Sequence, residues 1–337
     1  GVLLSGGIDS SAIAYFVHQA GANLTTYNIG FPDLNEFEFS RQVAKQLGLR
    51  HVEVVTTPSE LLNLFDEIVA ALDSPMADPA CFPLYRLCQE IKREVTVVLS
   101  GESGDELFAG YPQYGEVLLG NTAPHERYEY FLQRSWYFSD ALEFLRDRTI
   151  APLHHRYRKC FEGRTALNAM LSYDMHTWMP ENLMMKADKM LMAHSLEGRF
   201  PFHDLELFEF AASLPEEYKL SKEGVGKWIL KEALKDKLPM DVLLRPKMGF
   251  SVPVEQMLEV LKDRVLASFS PNRCPELAEI VDVAKLRKEV EGYYAGSGRL
   301  PIQIWTWFIL FTWVELVGSE RYLDLALPSR RQAEASP

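Results

Sequence analysis

The stretch Val2-Leu3-Leu4-Ser5-Gly6-Gly7-Ile8-Asp9-Ser10-Ser11 joins a short apolar run to the start of a helix through a loop with two glycines. Two glycines let the main chain turn sharply and bring its N–H groups close to an anion. The helix start adds unpaired N–H donors and the positive end of its dipole, and three serines add hydroxyl groups. The pattern therefore predicts a phosphate-binding loop, although neither the GxGxxG nor the Walker pattern is matched. A carboxylate would repel a phosphate unless a metal lay between them, so Asp9 is a candidate Mg²⁺ ligand. The alternative is a tight turn in which Asp9 caps the helix.

Short β-type runs alternate with helical stretches over the first hundred residues. Strands are predicted at Val2–Leu4, Leu24–Ile29, His51–Val55 and Val95–Leu99. Helices are predicted at Ser10–Gln19, Glu36–Leu47, Ser59–Leu72 and Pro83–Lys92. This order predicts an α/β fold, a doubly wound parallel sheet with helices on both faces. Ligands of such sheets bind beyond the carboxyl ends of the strands.

The β signal disappears from about residue 116, and the rest of the chain has helical spacing. The predicted helical segments are 126–148, 172–193, 204–213, 225–236, 253–268 and 301–317. We therefore divide the chain into a nucleotide-binding core at 1–115, a helical part at 116–327 and a polar tail at 328–337.

Composition limits the classes of partner. The chain has 337 residues, of which 47% are hydrophobic, and a formal net charge of −12, which argues against nonspecific binding to nucleic acid or an anionic membrane. The four cysteines have no zinc spacing and are typical of buried thiols in a reducing compartment such as the cytoplasm. The apolar run Ile302–Val317 is too short and too polar for a membrane span and predicts a buried helix. The sequence begins Gly-Val-Leu-Leu without Met, so we expect an upstream part to be missing.

A second motif, Leu99-Ser100-Gly101-Glu102-Ser103-Gly104-Asp105-Glu106-Leu107-Phe108, places three carboxylates in five positions directly after a strand. Such crowding is unfavourable unless a metal or a cationic substrate shares the site, so Asp105 is a candidate to hold Mg²⁺ together with Asp9. The alternative is a solvated acidic helix start.

A third motif, Arg245-Pro246-Lys247-Met248-Gly249-Phe250, is a basic loop in an otherwise acidic chain. Lys247 on such a loop can reach into a site and neutralise charge on phosphoryl oxygens. The alternative is an ordinary surface loop.

Ser5–Ser11 resembles the SGGxDSS pyrophosphate loop of the N-type ATP pyrophosphatases. Together with Leu99–Tyr111, Met192–Asp204 and Arg245–Phe250, it is similar to the synthetase (C-terminal) domain of glutamine-hydrolysing asparagine synthetase, whose fold is adenine-nucleotide alpha-hydrolase-like. The resemblance extends from Gly1 to about Val317.

The resemblance implies a carbon–nitrogen ligase that adenylates the side-chain carboxylate of aspartate and transfers it to ammonia, giving asparagine, AMP and pyrophosphate. Its cofactors would be ATP and Mg²⁺, with Mg²⁺ held by Asp9 and Asp105. Glu102 would act near the acyl-adenylate step, and Lys247 would stabilise the adenylation transition state. The implied ATP-binding residues are Leu4, Ser5, Gly6, Gly7, Asp9, Ser10, Ser11, Ile29, Ser100 and Gly101. It also implies a glutaminase domain upstream in the full-length chain and leaves a homodimer open.

Some positions depart from the family pattern. The family usually has Asp-Glu-Pro where this chain has Asp73-Ser74-Pro75, and a common Leu is replaced by His203. These departures concern the acyl substrate more than the adenylation chemistry. The alternatives are the same chemistry on another substrate, as in β-lactam synthetases or peptide cyclases, another pyrophosphatase-type ligase such as GMP synthetase, and a nucleotide-binding module without catalysis.

Overall fold

One parallel sheet organises the part of the chain that the structure describes. The structure is a computed structural model that describes residues 1–120, 131, 143–146, 158–249, 251–270, 272–297, 301–319 and 322. Within these residues, five strands pair in the order β3-β2-β1-β4-β5. Their bounds are β1 Val2–Leu3, β2 Thr25–Gly30, β3 Arg50–Val55, β4 Val97–Leu99 and β5 Glu197–Arg199. All four pairings are parallel, so the predicted α/β fold with a parallel sheet is confirmed.

The edge strand β5 was not expected from the sequence. Val97 pairs with Glu197 and Leu99 with Arg199, so β5 extends the sheet from a segment a hundred residues further along the chain. The expectation that β structure ends near residue 116 is therefore wrong. The sequence Glu-Gly-Arg has few β-forming side chains, so its extended conformation depends on backbone pairing with β4.

The first part of the chain supplies the helices that connect and cover the strands. They are α1 Ile8–Gln19, α2 Phe37–Leu47, α3 Pro58–Asn63, α4 Phe65–Ala71, α5 Cys81–Ile91, α6 Gly104–Phe108 and α7 Pro112–Leu119. The single helix predicted at Ser59–Leu72 is divided into α3 and α4 at Leu64. The helix α3 begins with a capping box, in which the Thr57 side chain accepts from the Glu60 N–H and the Glu60 side chain accepts from the Thr57 N–H.

The second part is mostly helical in the described residues. The helices are α8 Ala166–His176, α9 Met185–Met192, α10 Leu205–Ser213, α11 Glu216–Lys219, α12 Trp228–Leu234, α13 Met240–Leu244, α14 Val254–Val260, α15 Lys262–Ser268, α16 Pro275–Ile280, α17 Val283–Tyr294 and α18 Pro301–Val317. The second part also contains a π-helix at Met179–Met184 and 3-10 helices at Arg158–Phe161 and Pro201–His203. The predicted segment 126–148, apart from 131 and 143–146, and the tail 328–337 lie outside the described residues. The domain boundaries stay predictions.

The helix α18 is the centre of the largest apolar core. Trp305 packs edge-on against Phe82 with ring centroids 5.1 Å apart, and Phe308 lies 5.2 Å from Phe65. The predicted buried helix is therefore confirmed. No helix in the described residues is both long and apolar enough to span a membrane. The four cysteines are buried and unpaired, as the sequence predicts.

Candidate active site

The loop after β1 is held closed by its own serine hydroxyls. The Gly7 N–H donates to Ser5 Oγ at 3.2 Å, the Ser5 N–H donates to Ser10 Oγ at 3.2 Å, and Ser10 Oγ donates to the Gly7 carbonyl at 3.1 Å. Gly6 has a φ of +80°, and a Cβ there would lie 2.6 Å from Cβ of Phe39. Both the backbone conformation and the available space therefore require glycine at position 6.

The second motif packs directly against this loop. The strands β1 and β4 are neighbours, so the loops at their carboxyl ends meet. A Cβ on Gly101 would lie 2.8 Å from the Ser10 nitrogen, and a Cβ on Gly104 would collide with Asp9 Oδ1. Because both glycines allow this close approach, the structure brings Asp9 and Asp105 together.

Two lysines contact these carboxylates. Lys227 Nζ forms an ion pair with Asp9 Oδ2 and lies 2.7 Å from Asp105 Oδ1. Lys247 Nζ donates to Asp105 Oδ2 at 2.9 Å. Asp9, Asp105 and Lys227 are 8%, 7% and 4% exposed, and Asp9 Oδ1 has no hydrogen-bond partner among the described residues. The site thus consists of two buried carboxylates and the buried Lys227 ammonium, with the more exposed Lys247 at its rim, at the carboxyl edge of the sheet.

Lys227 is not among the site residues predicted from the sequence. It precedes α12, where a lysine is usually solvated, and its backbone has a φ of +55°. Its N–H donates to the Phe108 carbonyl at 2.8 Å. A Cβ at the preceding Gly226 would collide with the carbonyl of Ala109. The available sequence signal was Gly224-Val225-Gly226-Lys227, since paired glycines indicate close backbone contact.

These contacts determine the charge states of the site. Burial opposes ionisation of Asp105, but the ammonium groups of Lys227 and Lys247 lower its pKa to about 2. Burial raises the pKa of Asp9, an effect that Lys227 partly offsets. Burial disfavours the charged form of Lys247, but Asp105 and Asp9 together raise its pKa above the usual lysine range. Asp105 and Lys247 are therefore both charged at neutral pH.

Glu102 connects this site to a further lysine. Its carboxyl group is partly buried and has no hydrogen bond to a described residue. Burial raises the pKa of Glu102, while the charges of Lys186 and Lys247 oppose that effect. Lys186, which is likewise not predicted from the sequence, donates to Asp78 Oδ2 at 2.8 Å.

The third carboxylate of the acidic motif belongs to a buried network. Glu106 accepts from the Tyr111 hydroxyl at 2.5 Å, and Asp174 accepts from the Tyr114 hydroxyl at 2.5 Å. Burial raises the pKa of Glu106 to about 8 and that of Asp174 to about 7. These two carboxyl groups thus connect α6 and α7 with α8.

The basic loop is attached to the phosphate loop. Arg245 forms an ion pair with Glu36, lies 4.1 Å above the Phe39 ring and donates to the Gly6 carbonyl at 3.4 Å. These contacts position the segment that carries Lys247. Phe250, the last residue of the predicted motif, lies outside the described residues.

The remaining candidate residues lie at the same edge of the sheet. Leu4 directly follows β1, Ile29 is the last residue but one of the adjacent strand β2, and both side chains are buried. The Ser100 N–H donates to the Arg199 carbonyl at 3.0 Å, and Ser11 is buried with no partner for Oγ in the described residues.

The two positions that depart from the family pattern are in contact with other side chains. Ser74 Oγ donates to Met185 Sδ at 3.1 Å, and His203 Nε2 contacts the Ser103 hydroxyl. Ser103 has a φ of +77° and lies between Glu102 and Asp105 in sequence. His203 therefore touches the acidic motif itself.

Comparisons with known proteins agree on one family. The model of the asparagine synthase family matches residues 1–315. Asparagine synthetase [glutamine-hydrolyzing] 1 of Bacillus subtilis is 32% identical over 96% of this chain and 57% of that protein. A putative asparagine synthetase of Mycobacterium tuberculosis is 31% identical, over 93% of this chain and 54% of that protein. The human asparagine synthetase is 28% identical, over 74% of this chain and 39% of that protein. The chain spans about half the length of the first two relatives. With a family match over nearly its whole length, the chain belongs to the asparagine synthase family.

Proposed function

We propose that this chain is an ATP-dependent amide ligase that adenylates the side-chain carboxylate of aspartate and transfers the acyl group to ammonia. The observation that carries the proposal is the meeting of Asp9 and Asp105, from two separate loops, around Lys227 and beside Lys247. Ligands bind at this edge of a parallel sheet, and a group of paired charges suits the polyphosphate of ATP. The names of the relatives support asparagine as the product.

The residues present fit one magnesium ion. In proteins Mg²⁺ is usually bound by one or two carboxylates together with substrate phosphates and water. Asp9 and Asp105 supply two carboxylates, and Asp9 Oδ1 is buried without a partner among the described residues. Among those residues, no three or more His, Cys, Asp and Glu side chains are arranged so that they could hold a metal ion together, so phosphate oxygens would complete the coordination. The ion would neutralise negative charge on the leaving pyrophosphate.

The chain's own groups bind and orient the nucleotide. The main-chain N–H groups of the loop Ser5–Ser11 and the first turn of α1 bind the pyrophosphate end. Lys247 stabilises the negative charge that develops on the phosphoryl oxygens, and Lys227, which contacts the other oxygen of Asp105, adds to this effect. Both lysines are preoriented by Asp105, so their positions need little rearrangement when ATP binds.

The reaction proceeds in two transfers. A carboxylate oxygen of aspartate attacks the α-phosphorus, and the bond to pyrophosphate breaks, which gives an acyl-adenylate and pyrophosphate. The nitrogen of ammonia then attacks the acyl carbon, AMP leaves, and the nitrogen loses a proton. Glu102 interacts electrostatically with Lys247 and Lys186, and in this proposal it orients the nitrogen nucleophile or accepts this proton. The helical second half shields the acyl-adenylate from water.

The products of turnover test this function. The chain is supplied with ATP, MgCl₂, ammonium chloride and a panel of carboxylic acids, and AMP, pyrophosphate and amide are quantified by chromatography and mass spectrometry. We expect AMP and asparagine in equal amounts with aspartate. Asp105→Asn is the matched inactive control. Release of ADP and phosphate would contradict adenylation. Formation of a different amide would show that the acyl substrate is a carboxylic acid other than aspartate.

The setting of the domain is part of the proposal. Relatives about twice as long support an upstream glutaminase domain as the physiological source of ammonia. Buried free thiols suit a reducing compartment such as the cytoplasm. A homodimer is compatible with the proposal.

A further inference from the structure

A second charged cluster adjoins Glu102, and the function proposed above does not use it. Lys186 on α9 is 9% exposed, and its Nζ donates to Asp78 Oδ2 at 2.8 Å. The same oxygen accepts from Asn182 Nδ2 at 3.0 Å, and Asp78 Oδ1 accepts from the Ala80 N–H at 2.9 Å. Asp78 is therefore held by three donors, and it fixes the position of the Lys186 ammonium.

The Lys186 ammonium has spare hydrogen-bonding capacity. An ammonium group carries three N–H donors, and Asp78 is its single hydrogen-bond partner among the described residues. Burial disfavours the charged form, but Asp78 and Glu102 raise the pKa of Lys186 above the usual lysine range. Leaving two donors of a buried cation unpaired is unfavourable, so they are suited to a ligand with anionic oxygens.

The position of Glu102 relates this cluster to the reaction site. Its carboxyl group interacts electrostatically with Lys186 and also with Lys247 and Asp105. Lys186 on α9 and Lys247 on the loop after α13 therefore act on the same carboxyl group. A substrate whose reacting carboxylate lies beside Lys247 can present a second carboxylate to Lys186.

We propose that Lys186, oriented by Asp78 and Asn182, binds the carboxylate of the acyl substrate that is not activated. This inference rests on the proposed function and names the substrate class, a short dicarboxylic amino acid. The carboxyl groups of Asp78 and Glu102 outnumber the charge on Lys186, so a ligand with an ammonium next to its free carboxylate is favoured over a plain dicarboxylic acid. Lys186 is thus a specificity-determining residue.

Paired substrates and variants test this inference. Lys186→Met keeps the length of the side chain and removes its charge, and Lys189→Met on the same helix is the matched control. Lys189 also pairs with an aspartate, Asp73, but has no interaction with Glu102. KM is measured for aspartate, for aspartate with its α-carboxylate converted to a carboxamide, and for ATP.

We expect Lys186→Met to raise KM for aspartate by about 10- to 100-fold, the loss typical of one charge-assisted hydrogen bond. KM for ATP should not change, and the α-carboxamide, which lacks the anionic group, should lose no further affinity. Lys189→Met should resemble the wild type. An equal loss for both acyl substrates, or an unchanged KM for aspartate, would overturn the proposal.

The double variant Lys186→Met/Asp78→Asn distinguishes a loss of stability from a loss of binding, because it removes both charges of the Lys186–Asp78 ion pair. Its melting temperature should approach that of the wild type while KM for aspartate stays high; recovery of KM would show that the pair is only structural. Calorimetric titration of the protein with aspartate distinguishes failure of the proposed ligase function from failure of the proposed carboxylate site at Lys186. If the wild type forms no AMP, the proposed ligase function fails, but aspartate binding that Lys186→Met abolishes would still support the subsite. Absence of aspartate binding by the wild type would reject it.

Discussion

Replacement of Lys227 by Met should destabilise the protein through the unpaired charge that it leaves. Methionine has nearly the length of the lysine side chain, so the change removes the ammonium with little change in packing. Asp105 keeps Lys247 as a partner, whereas Asp9 loses its ion pair. Removal of one member of a buried ion pair costs about 3–5 kcal/mol. The pKa of Asp9 is already raised by burial, so this carboxyl group can take up a proton, which reduces the penalty. We therefore expect the free energy of unfolding at pH 7 to fall by about 3 kcal/mol, the lower end of that range.

Urea unfolding without Mg²⁺ and ATP measures this effect. The matched control is Lys231→Met, one turn further along α12, because Lys231 is partly buried but forms no hydrogen bond or ion pair with a described residue. The control should lose at most about 0.5 kcal/mol. The loss at Lys227 should shrink at pH 5, where Asp9 protonates more readily. Asp9→Asn in the same chain should restore part of the stability. Equal unfolding free energies for the two lysine variants would refute the ion-pair interpretation.

Three further outcomes follow from the same contacts. Lys247→Ala should lower kcat by about 10²- to 10³-fold with little change in ATP affinity. Lys247→Arg should not restore kcat. An unchanged single-turnover rate of AMP formation in Lys247→Ala would contradict a role of Lys247 in the transition state. Gly104→Ala should lower turnover about 100-fold and raise the Mg²⁺ requirement, because the added Cβ collides with Asp9 Oδ1, and a Mg²⁺ titration of activity measures this. Asp174 stays protonated in the folded chain up to its pKa of about 7, whereas in the unfolded chain it ionises near pH 4. Between these two pH values, the contribution of Asp174 to the free energy of unfolding should therefore fall as pH rises, by up to about 1.4 kcal/mol per pH unit. Asp174→Asn should remove that slope in urea unfolding curves recorded from pH 4 to pH 8.

The parts of the fold that were predictable from sequence depend on local patterns. The runs that became β2, β3 and β4 are bounded by turn residues and rich in β-formers, and parallel order follows from the helices between them. The same holds for the loop Ser5–Ser11, because its glycines and serines specify anion binding without reference to the rest of the chain.

The unpredicted parts depend on partners far away in sequence. The strand β5 is extended because β4 offers it a ladder, and Lys227 is buried because two aspartates more than a hundred residues away neutralise it. Lys186 is likewise buried through Asp78. A lysine has the same local signature whether it is solvated or paired, so these assignments required the tertiary structure.

The pairing of β4 with β5 also has a consequence for synthesis on the ribosome. Residues 97–99 emerge about a hundred residues before residues 197–199, with which they pair. At ordinary rates of translation, about 5–20 residues per second, this interval is roughly 5–20 s. During that time one side of β4 has no ladder partner, and an unpaired strand edge is where nascent chains associate wrongly. Slower translation of the segment between the two strands should therefore increase aggregation of the nascent protein, although no contact of the finished fold has changed.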